Sequence, residues 1–409
     1  MSESRVSKRM TRLSPSMTFA MNALSNELKA KGIDVVNMSL GEPDFNTPDH
    51  VKAAARQALD EDYTHYTPVP GSLSLKEAII GKLQRENGLT YTPAEIQVSN
   101  GAKQSLCNAV MALIDEGDEV IIPAPYWVSY PQMVLLAGGK PVHVDTGIDQ
   151  DYKMTPDQLE KAITPRTRML VLCSPSNPSG AVYSKEELEA LSAVILRHEG
   201  LLVLSDEIYE HLNYVGAHAS IASCPGMWER TIVVNGVSKA YAMTGWRIGF
   251  LAAPKWIVSA CNMLQGQYTS GPCSVSQKAA EAAWNGSQDC VEEMRLAFKR
   301  RRNLLVGLLR EIPGLEVALP EGAFYLFPKC SSFFGKTDGT RVIKTSTDLA
   351  MYLLEVGHVA TVGGDAFGAP DYFRLSYATS EENIKEGAKR MAKALALRIK
   401  EGTHRRQRQ

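Results

Sequence analysis

Short apolar runs that end in polar or aromatic residues recur along this chain, and their composition predicts a buried sheet. Thr231-Ile232-Val233-Val234 leads to Ser238 and Lys239, and Leu201-Leu202-Val203-Leu204-Ser205 leads to Asp206, Glu207 and Tyr209. Met169-Leu170-Val171-Leu172 runs into Ser174-Pro175-Ser176-Asn177-Pro178-Ser179-Gly180, and Glu119-Val120-Ile121-Ile122 stops at Pro123, ahead of Tyr126 and Trp127. Continuous aliphatic and β-branched runs, without polar alternation, are expected of strands covered on both faces. Helix signals lie between them. Thr47-Pro48-Asp49 predicts a helix start, with a capping threonine and proline at the first helical position, opening a segment over about residues 51–59. Ser184 with Glu187 three residues on predicts a capping box for a helix reaching about His198, where Gly200 ends it; Thr155-Pro156 starts another. Strands alternating with helices predict the α/β class, with a mostly parallel sheet flanked by helices.

The pattern changes near residue 300. After a long helical segment at about 291–310, Pro313-Gly314 and Pro320-Glu321-Gly322 punctuate short strand-like runs such as Ala323-Phe324-Tyr325-Leu326-Phe327, and Ser380 caps a final helix. The larger domain is therefore expected over 48–300, followed by a smaller α+β domain over 301–409.

Composition narrows the function classes. With 409 residues, 44% of them hydrophobic, and a formal net charge of −1, the chain has ample core and no excess of positive charge for nucleic acid. No apolar run approaches membrane-spanning length. The seven cysteines (107, 173, 224, 261, 273, 290, 330) show no CxxC spacing and are odd in number, which fits reduced thiols of a cytoplasmic protein rather than a disulfide or zinc framework. Arg5, Lys8, Arg9 and Arg12 lie without an apolar signal core and predict a short basic arm, and the segment from His404 to Gln409 predicts a frayed tail.

Chemistry concentrates in Ser238-Lys239-Ala240-Tyr241-Ala242-Met243-Thr244-Gly245-Trp246-Arg247-Ile248-Gly249. The preceding run delivers a lysine to the strand end, where α/β sheets bind ligands. A desolvated lysine with cations nearby has a depressed pKa and attacks a carbonyl to form a Schiff base. Arg247 and Ser238 suit a phosphate. Ile96-Gln97-Val98-Ser99-Asn100-Gly101-Ala102-Lys103-Gln104 adds a strand, a small-residue turn and a helix start whose free N–H groups favour an anion. Neither a P-loop pattern nor GxGxxG occurs, which speaks against nucleotide binding.

Six motifs in order complete the picture: Ser39-Leu40-Gly41-Glu42-Pro43-Asp44-Phe45, Tyr126-Trp127-Val128-Ser129-Tyr130, Ser174 to Gly180, Ser205-Asp206-Glu207-Ile208-Tyr209, Ser238 to Gly249, and Phe373-Arg374-Leu375-Ser376-Tyr377-Ala378. Over nearly its whole length the chain resembles class I pyridoxal-phosphate-dependent aminotransferases of the fold-type I superfamily, close to bacterial aspartate aminotransferases. The resemblance implies a large cofactor-binding domain, a small domain completed by residues 13–47, and an arm over 1–12. It implies that pyridoxal 5′-phosphate forms a Schiff base with Lys239, with Gly101, Ala102, Lys103, Ser238 and Arg247 around the phosphate. Asp206 would face the ring nitrogen, Tyr209 and Asn177 the phenolic oxygen, and Trp127 the ring face. Lys239 would then carry the proton of transamination, with a pyridoxamine phosphate intermediate and ping-pong kinetics.

The same resemblance assigns the substrate α-carboxylate to Arg374, with Gly41, Trp127 and Asn177 also touching substrate. Tyr66 matches a tyrosine that reaches the neighbouring subunit's phosphate, which implies a homodimer. Gln265 to Gly271 lacks the arginine that many eukaryotic-type members use for the distal carboxylate; in the bacterial branch that duty falls to the position of Lys103. Aspartate and 2-oxoglutarate are the favoured pair, with prephenate or an aromatic oxo acid as a second acceptor. A β-lyase or decarboxylase on the same scaffold is an alternative. A regulatory module with a DNA-binding domain is disfavoured, since roughly 45 residues before the large domain are too few for one.

Overall fold

The structure, a computed structural model, describes residues 6–396 and the backbone of 398–399. Arg5 and the segment from His404 to Gln409 lie outside the described residues. The chain forms two compact units: one gathers Glu42–Arg300 with Pro320–Phe324 and the segment up to Pro15, the other Ser16–Gly41, Arg301–Leu319 and the chain from Tyr325 onward. The division falls inside the helix Asp289–Arg310.

The larger unit is built on seven strands in the spatial order Ile96–Asn100, Ile248–Ala252, Thr231–Gly236, Leu202–Asp206, Thr167–Cys173, Glu119–Ala124, Lys140–Asp145. Six run parallel; Ile248–Ala252 runs against both of its neighbours. Successive residues of the central strands enter different cores, which is why their sequences are continuously apolar. Met169 and Val171 join one cluster with Val120, Leu204 and Ile232, while Leu170 and Leu172 join another with Leu159, Leu191 and Val203. Val233 points into a third, with Val98, Phe250 and Trp284.

Local capping signals are realised where both partners are near in sequence. Ser184 Oγ accepts the Glu187 N–H at 3.2 Å and Glu187 Oε2 accepts the Ser184 N–H at 2.8 Å, opening the helix Lys185–Ile195. That helix stops short of His198, and a turn carries the chain to Gly200, whose φ of +79° suits glycine. Thr155 and Gln158 form the same box at Pro156–Ala162. The expected threonine cap at position 47 is not formed. Pro48 takes the cap position of Asp49–Asp60, while Thr47 Oγ1 donates to the Ala242 carbonyl at 2.9 Å and accepts from Trp246 Nε1 at 2.9 Å.

In the second unit, Tyr325–Leu326, Phe373–Ser376 and Val362–Gly363 form an antiparallel sheet, and Val36–Asn37 pairs in parallel with Val359–Ala360. Of the strand-like run at 323–327 only Tyr325–Leu326 is ladder-paired; Ala323 has φ +56°, which breaks the extended chain. Ser380 caps Glu381–Ala394 by accepting the Asn383 N–H at 3.2 Å. Among the described residues, no helix is long and apolar enough to cross a membrane.

Candidate active site

Sheet direction decides which residues meet. Parallel strands all finish at one edge of the larger unit's sheet, and the single antiparallel strand begins there, so Arg247, just before Ile248, joins the residues that follow the other strands. The register pairs Asn100 with Ile248, which sets Arg247 beside Gly101. Arg247 Nη2 donates to the Asn100 carbonyl at 3.2 Å and Nη1 to the Thr244 carbonyl at 2.9 Å. Gly101 is suited to this turn by its φ of +82°, and a Cβ there would also push on the Arg247 guanidinium, 2.4 Å from Nη2.

Gly249 does the same from the neighbouring strand. A Cβ on it would meet the Ala102 nitrogen at 2.1 Å and the Gly101 carbonyl carbon at 2.5 Å. Two glycines thus let the start of the helix Ala102–Leu113 seat on the sheet edge, and Gly101 at its cap position has no side chain to take up its first N–H groups. Its first N–H groups and dipole, with the Arg247 guanidinium, form a cradle shaped and charged for a phosphate. Lys103, on the same first turn, holds its ammonium 4.8 Å above the Trp127 ring. Burial, reinforced by Arg247, lowers its pKa below that of an ordinary lysine.

Two strands over, Asp206 is 4% exposed. Its Oδ2 accepts the Tyr130 hydroxyl at 2.6 Å and its Oδ1 the Ile208 N–H at 3.3 Å. Burial above all, with the Glu207 charge, pushes its pKa up to about 6 against the pull of these bonds and of the Lys239 ammonium. Glu207 turns elsewhere, accepting Ser205 Oγ at 2.8 Å and Ser220 Oγ at 2.6 Å and pairing with His218 Nε2 at 2.9 Å. Adjacent carboxylates therefore do separate work.

Lys239 emerges from the strand between the cradle and Asp206. Its Nζ lies 5.8 Å from the Tyr209 ring centre and 5.9 Å from that of Phe324, which cross edge to face at 5.5 Å. Tyr209, Asn177 and Ser238 are all buried. The Asn177 N–H points to the Cys173 sulfur, and Cys173 is the in-register neighbour of Asp206. Trp127 stands edge-on to Tyr130, centroids 5.4 Å apart at 81°. Gly101, Ala102, Lys103, Trp127, Asn177, Asp206, Tyr209, Ser238, Lys239 and Arg247 thus belong to one edge of one sheet. Tyr66 stands apart, 100% exposed in the single chain.

Arg374 and Gly41 belong to the second unit. Phe373–Ser376 is buried at all four positions. The Arg374 guanidinium is 1% exposed, sits 4.6 Å from the Tyr325 ring centre and 4.9 Å from that of Phe367, and donates from Nη2 to the Ser39 carbonyl at 2.7 Å. Such a cation, stacked and preorganised, is suited to gripping a carboxylate in a planar fork. Gly41 lies against Tyr325, whose hydroxyl would be 2.5 Å from a Cβ there.

Three participants received no role in the sequence reading: Tyr130, Cys173 and Gly249. Tyr130 was visible in the motif Tyr126 to Tyr130, three residues after Trp127 at a helix start, but nothing local names Asp206 as its partner.

The sequence matches the family described as aminotransferase class I and II over residues 33–391. It is 50% identical over 396 residues to the aspartate/prephenate aminotransferase of Nitrosomonas europaea, covering 96% of this chain and 100% of that one. Among solved structures, the aspartate aminotransferase of Rhizobium meliloti superposes with a TM-score of 0.93 at 47% identity, covering 96% of this chain and 100% of the other. That of Thermus thermophilus with maleate gives 0.90 at 44%, covering 95% and 99%. The chain belongs to the class I and II aminotransferases.

Proposed function

We propose that this protein is a pyridoxal-phosphate-dependent aspartate aminotransferase that also accepts prephenate or an aromatic oxo acid. The observation carrying the reading is Asp206, a buried carboxylate held by two donors beside Lys239. Burial that pushes an acid up to about 6 is reversed by a cation against it, and a protonated pyridine nitrogen is such a cation. Bound, the cofactor supplies an aldehyde for the amine and a ring that withdraws electrons.

The chain's own residues do the rest. Gly101, Ala102, Ser238 and Arg247 hold the phosphate, and Trp127 covers the ring. Tyr209 and Asn177 donate to the phenolic oxygen. The Lys239 amine, beside the Tyr209 and Phe324 rings, takes the substrate α-proton and returns it. Arg374 orients the α-carboxylate beside the Gly41 backbone, and Lys103 meets the distal carboxylate. The dicarboxylate reading draws on the maleate named with the Thermus structure and on the names of the relatives. A second copy of the chain fits Tyr66 and the helix Lys255–Tyr268, whose Trp256, Met263 and Tyr268 are 57%, 74% and 63% exposed. Seven free cysteines accord with the reducing cytoplasm.

Adding single amino acids to the cofactor-loaded protein, and following cofactor absorbance with product identification, tests this. Aspartate and glutamate should each react, aspartate yielding oxaloacetate. Reaction with alanine or phenylalanine but neither dicarboxylate refutes the substrate reading; a product of elimination or decarboxylation refutes the transaminase.

A further inference from the structure

Asp206 has a neighbour to which the family resemblance gives no duty. Tyr130 is 3% exposed and sits on the first turn of the helix Ser129–Ala137, its N–H donating to the Trp127 carbonyl at 3.1 Å. One turn of chain therefore carries both the ring that covers the proposed cofactor and the phenol that grips the carboxylate. The 2.6 Å contact to Oδ2 is in the range of a charge-assisted O–H···O⁻ bond, whereas the 3.3 Å contact of Ile208 N–H to Oδ1 is long.

We infer that Tyr130 is a positioning residue that, through its hydrogen bond to Asp206, keeps the proton shared by this carboxylate and the cofactor's ring nitrogen on the nitrogen. This rests on the cofactor reading above. A carboxylate buried in apolar surroundings becomes a stronger base, and against a pyridine nitrogen it competes for the same proton. If Asp206 takes it, the pair is neutral and the ring withdraws electrons weakly. A donor fixed on Oδ2 favours the charged carboxylate and so leaves the proton on the ring.

Tyr130 suits that duty because it does not compete. Its burial, with the Asp206 charge beside it, raises its own pKa well above the ordinary phenol, so it stays a donor. Cys173, in register with Asp206 on the adjoining strand and donating from Sγ to the Pro175 carbonyl at 3.5 Å, is pushed up to about 12 by burial and also stays neutral. Asp206 is the acid of this cluster that lies near its working range, and Tyr130 is the short bond upon it.

Tyr130→Phe keeps the ring against Trp127 and removes only the donor. In protein loaded with ¹⁵N-labelled pyridoxal phosphate, the wild-type ring nitrogen should resonate as a pyridinium, and the variant should move toward neutral pyridine. Its kcat should fall roughly 10- to 100-fold with the KM for aspartate within about twofold, and cofactor affinity should weaken about tenfold. 4-Fluorophenylalanine at 130 fills the phenol's space without a donor and should behave alike, so the test survives a poorly folding Phe variant. An unchanged nitrogen resonance and cofactor affinity in either folded variant overturns the inference. A wild-type protein that binds no cofactor, or holds a neutral nitrogen, overturns the reading beneath it instead.

Discussion

Gly249→Ala places one methyl group where the structure has no room, and it separates the cradle's role from plain stability. Gly249 pairs with Ser99 on one side and Gly236 on the other. The new Cβ would lie 2.1 Å from the Ala102 nitrogen, 2.5 Å from the Gly101 carbonyl carbon and 2.7 Å from the Ala102 Cα. All three are backbone atoms and cannot rotate away. Comfortable separations are about 3.5 Å or more, so the start of the helix must retreat by about an ångström. The Ala102 and Lys103 N–H groups retreat with it, and a phosphate loses or lengthens one charge-assisted bond of about 1.5–3 kcal/mol. That corresponds to a cofactor dissociation constant raised roughly 10- to 150-fold. Overpacking destabilises the fold itself by about 1–3 kcal/mol, a drop of about 2–4 °C per kcal/mol in thermal midpoint. Titration of apoprotein with pyridoxal phosphate reads the first effect, and melting of apo and loaded protein reads the second. The loaded form should lose more than the apo form. Equal losses in both, with a dissociation constant within about twofold of wild type, refute the reasoning.

Four further outcomes follow from named contacts. Lys239→Ala should abolish turnover yet retain cofactor that is released on denaturation, whereas borohydride treatment of the wild type should leave it attached to the chain by mass. Lys103→Ala should lower kcat/KM for aspartate about 10- to 100-fold and for phenylalanine only a few-fold; equal loss for both removes its selectivity role. Arg374→Ala should raise KM for every amino acid by about 10-fold or more, and Arg374→Lys should not restore it, because the planar fork between Tyr325 and Phe367 is lost. Glu119 is held down to about 2 by hydrogen bonds from Thr164, Arg166 and Lys140. A depressed carboxylate stabilises the fold above its unfolded pKa and stops doing so as pH falls through the folded value. Glu119→Gln should therefore melt lower than wild type at pH 7, the gap closing between about pH 4.5 and 2, with activity intact.

How much of this was legible depends on how far apart the partners lie. Strands such as Met169 to Leu172 were readable because burial on both faces leaves a mark on every residue of the run. Ser184 was readable because its partner, Glu187, is three residues away. Thr47 was misread: its hydroxyl answers to Ala242 and Trp246, 195 and 199 residues along the chain, and tertiary partners outbid the local cap. Tyr130 was seen but unexplained for the same reason, its acceptor lying 76 residues on. The direction of Ile248–Ala252 leaves no trace in composition, yet it alone brings Arg247 to the site. Arg374 was singled out by its motif, but the Tyr325 and Phe367 rings stacked on its guanidinium are brought near only by folding.

The order of the strands also explains which way round a ligand would sit. Reading across the edge, the helix start and Arg247 come with Ile96–Asn100 and Ile248–Ala252, Lys239 with Thr231–Gly236, and Asp206 with Leu202–Asp206. Adjacent strands are about 4.8 Å apart, so the positive cradle and the carboxylate are separated by two to three spacings, roughly 10–14 Å, with the amine between. Charge along that line runs from plus to minus. A molecule that is dianionic at one end and cationic at the other fits in a single sense, and only then is its middle presented to the Lys239 amine. Orientation thus comes from topology, before any contact with the ring is made. For that reason the antiparallel strand matters more than its five residues indicate: run parallel, it would deliver Ala252 to this edge in place of Arg247, and the line would lose its positive end.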